Sequence, residues 1–190
     1  MGSTFRGPAS FHLADMLDAA LMTELAVAAG GDTFDQVLRQ RERQVLRTAF
    51  RVLGNWADAE DVAQEVFLRL HRHGLAFANE AALGGWLYRV TVNACLDKAR
   101  RAKPVVELPE TLREEAVAEA GLIRSQERQR LMAALATLPV RERAAVVLRE
   151  IEGLSTAEVA AALGTKEATV RSQVLNAMRR LREILGSEKA

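Results

Sequence analysis

The chain has 190 residues, 26 Lys or Arg against 25 Asp or Glu, four prolines and one cysteine. That length suits one large or two small domains, and the near-neutral charge excludes a polybasic nucleic-acid coat. A single cysteine excludes an intrachain disulfide and with it a secreted disulfide scaffold.

Ala, Leu, Val, Glu and Arg dominate, and no strand-like alternation persists, so the expected fold is all-α. No apolar run approaches the roughly 20 residues of a membrane-spanning helix, and the start of the sequence lacks the pattern of a signal peptide. A soluble cytoplasmic protein is the expectation.

Residues 1–30 form an N-terminal extension. A Gly, Ser and Pro mixture leads into a possible helix, Phe11 to Ala29, that ends at Gly30-Gly31; docking on the body, binding a partner and partial disorder are all open to it. The first long helix is expected from about Thr33 to Leu53, with Val37, Leu38, Val45, Ala49, Val52 and Leu53 inward and Arg39, Arg41, Arg43 and Arg47 largely outside. Gly54-Asn55 breaks it. Asp58 is the expected N-cap of the next helix, with Glu60 and Asp61 near its positive end. Its apolar seam is Ala59, Val62, Ala63, Val66, Phe67 and Leu70. The outward face carries Glu60, Asp61, Gln64, Glu65 and Arg69, a face suited either to solvent or to a basic surface on another protein.

A loop over 74–82 carries Phe77 and Asn79. A third helix is expected from about Leu83 to Lys103, through Trp86, Leu87, Val90, Ala94 and Cys95, with Lys98, Arg100, Arg101 and Lys103 at its end. Cations there complement the negative helix terminus, and they also suit phosphate contact. Pro104 stops the helix, and residues 104–125, with two prolines and five acids against two bases, read as a linker. A second helical block starts near Ser125. One helix holds Leu131, Leu135 and Leu138. Pro139 opens the next, with Val146, Val147 and Ile151 inward, and Gly153 ends it.

The stretch Leu154 to Leu185 is the most specific in the chain. Ser155 with Glu158 three residues on makes a capping box, and Leu154 with Val159 makes a hydrophobic staple. Gly164 supplies a left-handed helix stop, and Thr165 is placed to cap a second helix. Two helices joined by so short a turn are a helix-turn-helix, whose second helix reads the DNA major groove. In that helix Val170, Val174, Ala177, Leu181 and Ile184 form the packing seam. Ala168, Thr169, Ser172, Asn176 and Arg179 face away, with Arg171, Gln173, Arg180 and Arg182 on the flanks. From Lys166 to Arg182 five bases stand against one acid. Charge alone is equally consistent with a solvated face; the cap, stop and seam together point to DNA.

Three segments in this order resemble the extracytoplasmic-function (ECF) group of bacterial sigma-70 RNA polymerase sigma factors. Asp58 to Leu68 (DAEDVAQEVFL) is similar to the polymerase-binding helix. Gly85 to Ala94 (GWLYRVTVNA), with Asp97 and Arg100-Arg101, is similar to the −10 promoter-reading helix. Leu138-Pro139 through Arg182 is similar to the −35-reading domain. The resemblance spans residues 33–186. It implies two helical domains, a region 2 domain at 31–103 and a region 4 domain at 126–186, joined by a flexible acidic linker at 104–125, with a tail at 187–190.

It also implies roles. Asp61, Gln64, Glu65 and Arg69 would meet core RNA polymerase. Phe77, Asn79, Trp86, Arg89, Asn93, Arg100 and Arg101 would engage the −10 element, with a flipped base captured at the Phe77 loop. Thr169, Arg171, Ser172, Leu175, Asn176 and Arg179 would lie at the −35 element. The implied partners are core RNA polymerase, promoter DNA and, for many members, an anti-sigma protein; no cofactor, metal or catalytic residue is implied. The last helix departs from the family at Gln173, Asn176 and Met178, positions commonly basic there, which leaves fewer phosphate contacts.

The competing readings are a stand-alone dimeric helix-turn-helix regulator and a helical adaptor that binds protein only. The first leaves the acidic and Trp-Leu helices without a role, and the second leaves the basic recognition face without one. Enzyme chemistry has little support. Cys95 on an amphipathic helix reads as a small buried hydrophobe, and His71 and His73 point apart on a helix, where they cannot share a metal.

Overall fold

The structure is a computed structural model in which residues 34–101 and 119–187 are described. The N-terminal stretch of residues 1–30, most of the expected linker and the last three residues lie outside that set. All regular secondary structure among the described residues is helical, with no strand among them.

Three helices make the first block: α1 (Phe34–Leu53), α2 (Trp56–His73) and α3 (Glu80–Arg101). All six expected seam residues of α2 are buried, from Ala59 to Leu70. They pack on Val37, Val45, Ala49 and Val52 of α1 and on Leu87, Val92 and Cys95 of α3. In α1, Leu38 and Leu53 are only partly buried, while Thr48 and Phe50 lie inside. Phe50 is inward because its ring meets Trp56 edge-on at 5.4 Å, the contact that closes the α1–α2 corner. Gly54 takes φ +85°, a left-handed conformation that costs glycine little, and its N–H donates to Phe50 O at 2.8 Å.

Two helix starts differ from expectation. The N-cap of α2 is Asn55, not Asp58: Asn55 Oδ1 accepts from the Asp58 N–H at 2.7 Å, and Asn55 Nδ2 donates to Asp58 Oδ2 at 2.7 Å. Asp58 therefore sits one turn inside the helix. Helix α3 starts at Glu80, three residues before the expected Leu83, because Asn79 Oδ1 accepts from the Ala82 N–H at 2.9 Å.

The second block has α4 (Glu119–Ala136), α5 (Val140–Val146), α6 (Thr156–Leu163) and α7 (Glu167–Ser187). Helix α4 begins inside the segment expected to be linker. Helix α5 continues as a π-helical turn, Val147–Ile151, with Glu152 N–H donating to Val147 O at 3.0 Å. One wide turn shifts the helix phase. Val146, Val147 and Leu148 are thereby all buried, whereas Ile151, expected inside, is 38% exposed. Leu131 is exposed too, because Met132, Ala134 and Leu135 take the inward face of α4. Leu138 lies beyond the end of α4 and is buried in the turn before α5.

The two blocks touch. Helix α6 packs on α3, and α1 meets α4, α5 and the π turn. Arg143 ties the corner: its guanidinium donates to Val52 O at 2.9 Å in the first block, and to Ala136 O at 2.6 Å and Leu138 O at 3.0 Å in its own. Burial lowers the Arg143 pKa, and three carbonyls meet the charge.

Candidate promoter and polymerase interface

The outward face of α2 carries Asp61, Gln64, Glu65 and Arg69, all exposed. Glu65 and Arg69, one turn apart, form an ion pair at 2.5 Å. Asp61 is not isolated. Lys98 of α3 reaches across to Asp61 Oδ2 and Asp58 Oδ1, each at 2.8 Å. Burial pushes the Asp58 carboxyl up, but the hydrogen bonds from Lys98 and Asn55 and the Lys98 charge outweigh it and hold the pKa below the usual range. The hydrogen bonds to Asp58 and Asp61 raise the Lys98 pKa. Lys98 thus pins α3 under the acidic face and fixes the orientation of that face.

Helix α3 presents a second set. Trp86, Arg89, Asn93 and Arg100 recur at spacings of three, four and seven, which puts them on one stripe of a 3.6-residue helix. Arg89, Asn93, Arg100 and Arg101 are exposed. Arg100 pairs with Asp97 at 3.1 Å, one turn back. At the start of the stripe three rings cluster: Phe77 stacks on His73 at 5.0 Å and meets Trp86 edge-on at 5.8 Å, and His73 lies 5.1 Å from Trp86. Phe77 is half-buried in this cluster rather than free in a loop. His73 was not among the sequence-derived candidates. No spacing rule marks it; the reversal at Gly74, φ +77°, folds residue 77 back over residue 73. Asn79 is exposed, with its side chain engaged as the cap of α3.

The helix-turn-helix forms as its sequence implies. Ser155 and Glu158 make both bonds of the capping box, at 3.2 and 2.7 Å. Gly164 is left-handed, φ +60°, and Thr165 N–H donates back to Ala160 O at 3.0 Å. Thr165 thereby belongs to the end of α6 and does not cap α7. Helix α7 starts at Glu167, with Lys166 O accepting from Val170 N–H at 3.1 Å.

On α7, Val170, Ala177 and Leu181 are buried, with Val174 and Ile184 packed beside them. Thr169, Arg171, Ser172, Leu175 and Arg179 are exposed, Leu175 at 68%. Asn176 is half-buried on the same side. Arg171 pairs with Glu167 at 3.3 Å, and Ser172 Oγ donates to Ala168 O at 3.1 Å. Arg180 turns to Glu142 of α5 at 3.7 Å. Two of the three departures from the family pattern noted above also turn from the exposed face of α7. Gln173 is half-buried, with Oε1 shielded and unpaired, and Met178 packs against the core.

Cys95 is fully buried and its thiol is pushed up to about 12 by burial, so it stays protonated and packs as a small hydrophobe. His71 is exposed and meets Phe34 edge-on at 5.1 Å, while His73 is held in the ring cluster. No described helix is long and apolar enough to cross a membrane.

Comparison with known proteins agrees in both blocks and in their order. Residues 37–105 match the family model of sigma-70 region 2, and residues 128–181 match that of sigma-70 region 4. The ECF RNA polymerase sigma factor SigM of Mycobacterium tuberculosis is 40% identical over 169 residues, covering 85% of this chain and 83% of that protein. The chain belongs to the ECF group of RNA polymerase sigma factors. SigE of Mycolicibacterium smegmatis, an ECF sigma factor, is 38% identical over 164 residues, covering 83% of this chain and 63% of its own length. Among solved structures, the sigma factor RpoE of Bartonella quintana, in complex with the anti-sigma factor NepR, superposes with a TM-score of 0.63 at 21% identity. That match covers 80% of this chain and 96% of RpoE and supports the fold alone.

Proposed function

We propose that this ECF sigma factor binds core RNA polymerase and directs it to a defined set of promoters through −10 and −35 recognition and DNA melting. The observation that carries the reading is the occurrence of region 2 and region 4 in family order, with 40% identity to an ECF sigma factor across most of the chain. The protein is an initiation factor rather than an enzyme, and it works in the cytoplasm, where polymerase and chromosome are. Residues 31–103 act as the region 2 unit and 126–186 as the region 4 unit. The acidic segment between them, by its charge, stays off the DNA.

The exposed face of α2, with Asp61, Gln64, Glu65 and Arg69, is the polymerase contact. Trp86, Arg89, Asn93, Arg100 and Arg101 take the −10 DNA, and the Phe77–Asn79 turn takes an unpaired base. The recovery needed is a few kcal/mol per extruded base, within reach of aromatic stacking plus edge contacts. Thr169, Arg171, Ser172, Leu175, Asn176 and Arg179 enter the −35 major groove. Leu175 suits a thymine methyl, the apolar feature of that groove. An anti-sigma protein is a further partner, a reading supported by the structural neighbour RpoE, captured with the anti-sigma factor NepR. The test is sequencing of transcript starts made in vitro by this protein with core polymerase on genomic DNA. A shared upstream pair of elements is the expected result, and starts indistinguishable from core enzyme alone would overturn the reading.

A further inference from the structure

Glu152 lies on the turn between the π-helical segment and α6, and it faces the first block. Its carboxylate accepts from Arg51 Nη1 at 2.7 Å, Thr48 Oγ1 at 3.1 Å and Tyr88 Oη at 3.1 Å. All three donors belong to region 2, two from α1 and one from α3. The Glu152 side chain is 11% exposed, and Tyr88 is pushed up to about 12 by burial and the adjacent carboxylate, so the phenol stays a donor. A nearly buried carboxylate needs such partners. The Glu152 carboxylate is thus satisfied across the contact between the blocks.

What this contact covers is specific. Gly153, Leu154, Glu158, Ala161 and Ala162 line one wall of a cleft whose other wall includes Trp86, Tyr88 and Arg89. Region 4 therefore sits over the start of the α3 stripe, with Glu158 in the same cleft as Arg89. The −35 face of α7 stays exposed. The two promoter elements are about 25 base steps apart, roughly 85 Å at about 3.4 Å per step. Helix α7 packs on α6 and α6 on α3, so at about 8–10 Å between packed helix axes the recognition helix lies within roughly 20 Å of α3. With α6 on α3, the recognition helix and the α3 stripe cannot reach both elements at once.

We propose that Glu152 is a latch that holds the free protein closed, with region 4 shielding the −10 face of region 2, and that the latch opens when the chain is spread across a promoter. The latch is polar, and on opening each of its groups is taken up by water, as suits an interface meant to part. The promoter consequence rests on the proposed function; the closed state of the free chain does not.

The test is energy transfer within the full chain, with dyes on Arg72→Cys and Glu183→Cys, both exposed positions, while buried Cys95 is left unlabelled. The free wild type is expected to show one high-transfer population. Glu152→Gln and Arg51→Ala should each lose transfer, and addition of core polymerase with promoter DNA should bring wild type and variants to the same low value. Glu152→Gln keeps the shape of the side chain, so a folding failure of the Arg51 variant leaves the test intact. Equal transfer in wild type and folded latch variants, or low transfer in free wild type, would overturn the latch. Both results are read without polymerase, so they stand apart from any failure of the promoter reading.

Discussion

Ser155 and Glu158 satisfy one another reciprocally: Ser155 Oγ accepts the Glu158 N–H at 3.2 Å, and Glu158 Oε2 accepts the Ser155 N–H at 2.7 Å. Two of the orphan donors at the start of α6 are thereby met, and Leu154 and Val159 are both buried. Ser155→Ala should destabilise the protein by about 1 kcal/mol. The Ser155 bonds hold the Glu158 carboxyl below its usual pKa. A depressed carboxylate contributes stability above its unfolded pKa and loses it as pH falls through the folded value. The wild type should therefore lose more of its advantage over Ser155→Ala as pH drops below about 4.5. Urea midpoints of the two proteins across that range check both statements.

This motif was legible because it is local: cap, staple and left-handed stop all lie within eleven residues. The α2 seam was legible for the same reason, since period alone places Ala59 to Leu70 on one face. What escaped was decided by long-range contact or by a change of helical phase. Asn55 competes with Asp58 for the cap, and one residue of backbone geometry settles it. The π turn rotates Ile151 outward, which no 3.6-residue template anticipates. His73 enters the Phe77–Trp86 cluster only through the reversal at Gly74. Glu152 meets Thr48 and Arg51 across about a hundred residues, a pairing with no sequence period behind it.

Lys98 bonds both Asp58 and Asp61, and these bonds keep the Asp58 carboxyl low. Lys98→Ala should move the Asp58 pKa upward, read by carbon-detected titration of its carboxyl. The pairs are largely solvent-accessible, so the stability loss at neutral pH should be at most about 1 kcal/mol. With Asp58 normally depressed, that loss should vanish as pH falls below the folded pKa, where the carboxyl is protonated in both proteins. An unmoved Asp58 titration would show that the cap, and not Lys98, sets its charge.

Gln64 and Glu65 are exposed on the outward face of α2 and bury no core atoms. Gln64→Ala with Glu65→Ala should leave thermal unfolding within about 0.5 kcal/mol of wild type, as for ordinary surface changes. Affinity for core polymerase should fall at least tenfold, the equivalent of about 1.4 kcal/mol. Fluorescence titration of labelled protein with core enzyme measures it. Undiminished affinity in the folded double variant would move the polymerase contact off this face.

Phe77 and Asn79 need separate variants. Asn79 Oδ1 caps α3, so Asn79→Ala would cost about 1 kcal/mol of stability before any DNA is met. Asn79→Ser keeps the cap and removes the amide. Phe77→Ala removes one ring from the cluster with His73 and Trp86. Both variants should reduce permanganate reactivity of −10 thymines while leaving closed-complex binding near wild type. An unchanged footprint with Phe77→Ala would take the ring out of promoter opening.

The last helix makes the sharpest demand on sequence preference. Of the three family cations it lacks, Gln173 and Met178 face inward, so adding a base there would disturb packing. Asn176 is half-buried beside exposed Ser172 and Arg179, and of the three replacements it alone adjoins the face proposed to meet DNA. A bidentate Asn–adenine contact is worth about 1–3 kcal/mol of discrimination, so Asn176→Ala should lose that much at a single base position. Arg179→Ala should weaken binding at all sequences and reduce the slope of log affinity against log salt by about 0.9. Asn176→Arg should strengthen binding, steepen the salt dependence by a similar amount and favour guanine at the position where the wild type favours adenine. Selection from a randomised −35 element with holoenzyme distinguishes these outcomes. Identical motifs from wild type, Asn176→Ala and Asn176→Arg would remove residue 176 from base reading and leave the preference to Ser172, Leu175 and Arg171.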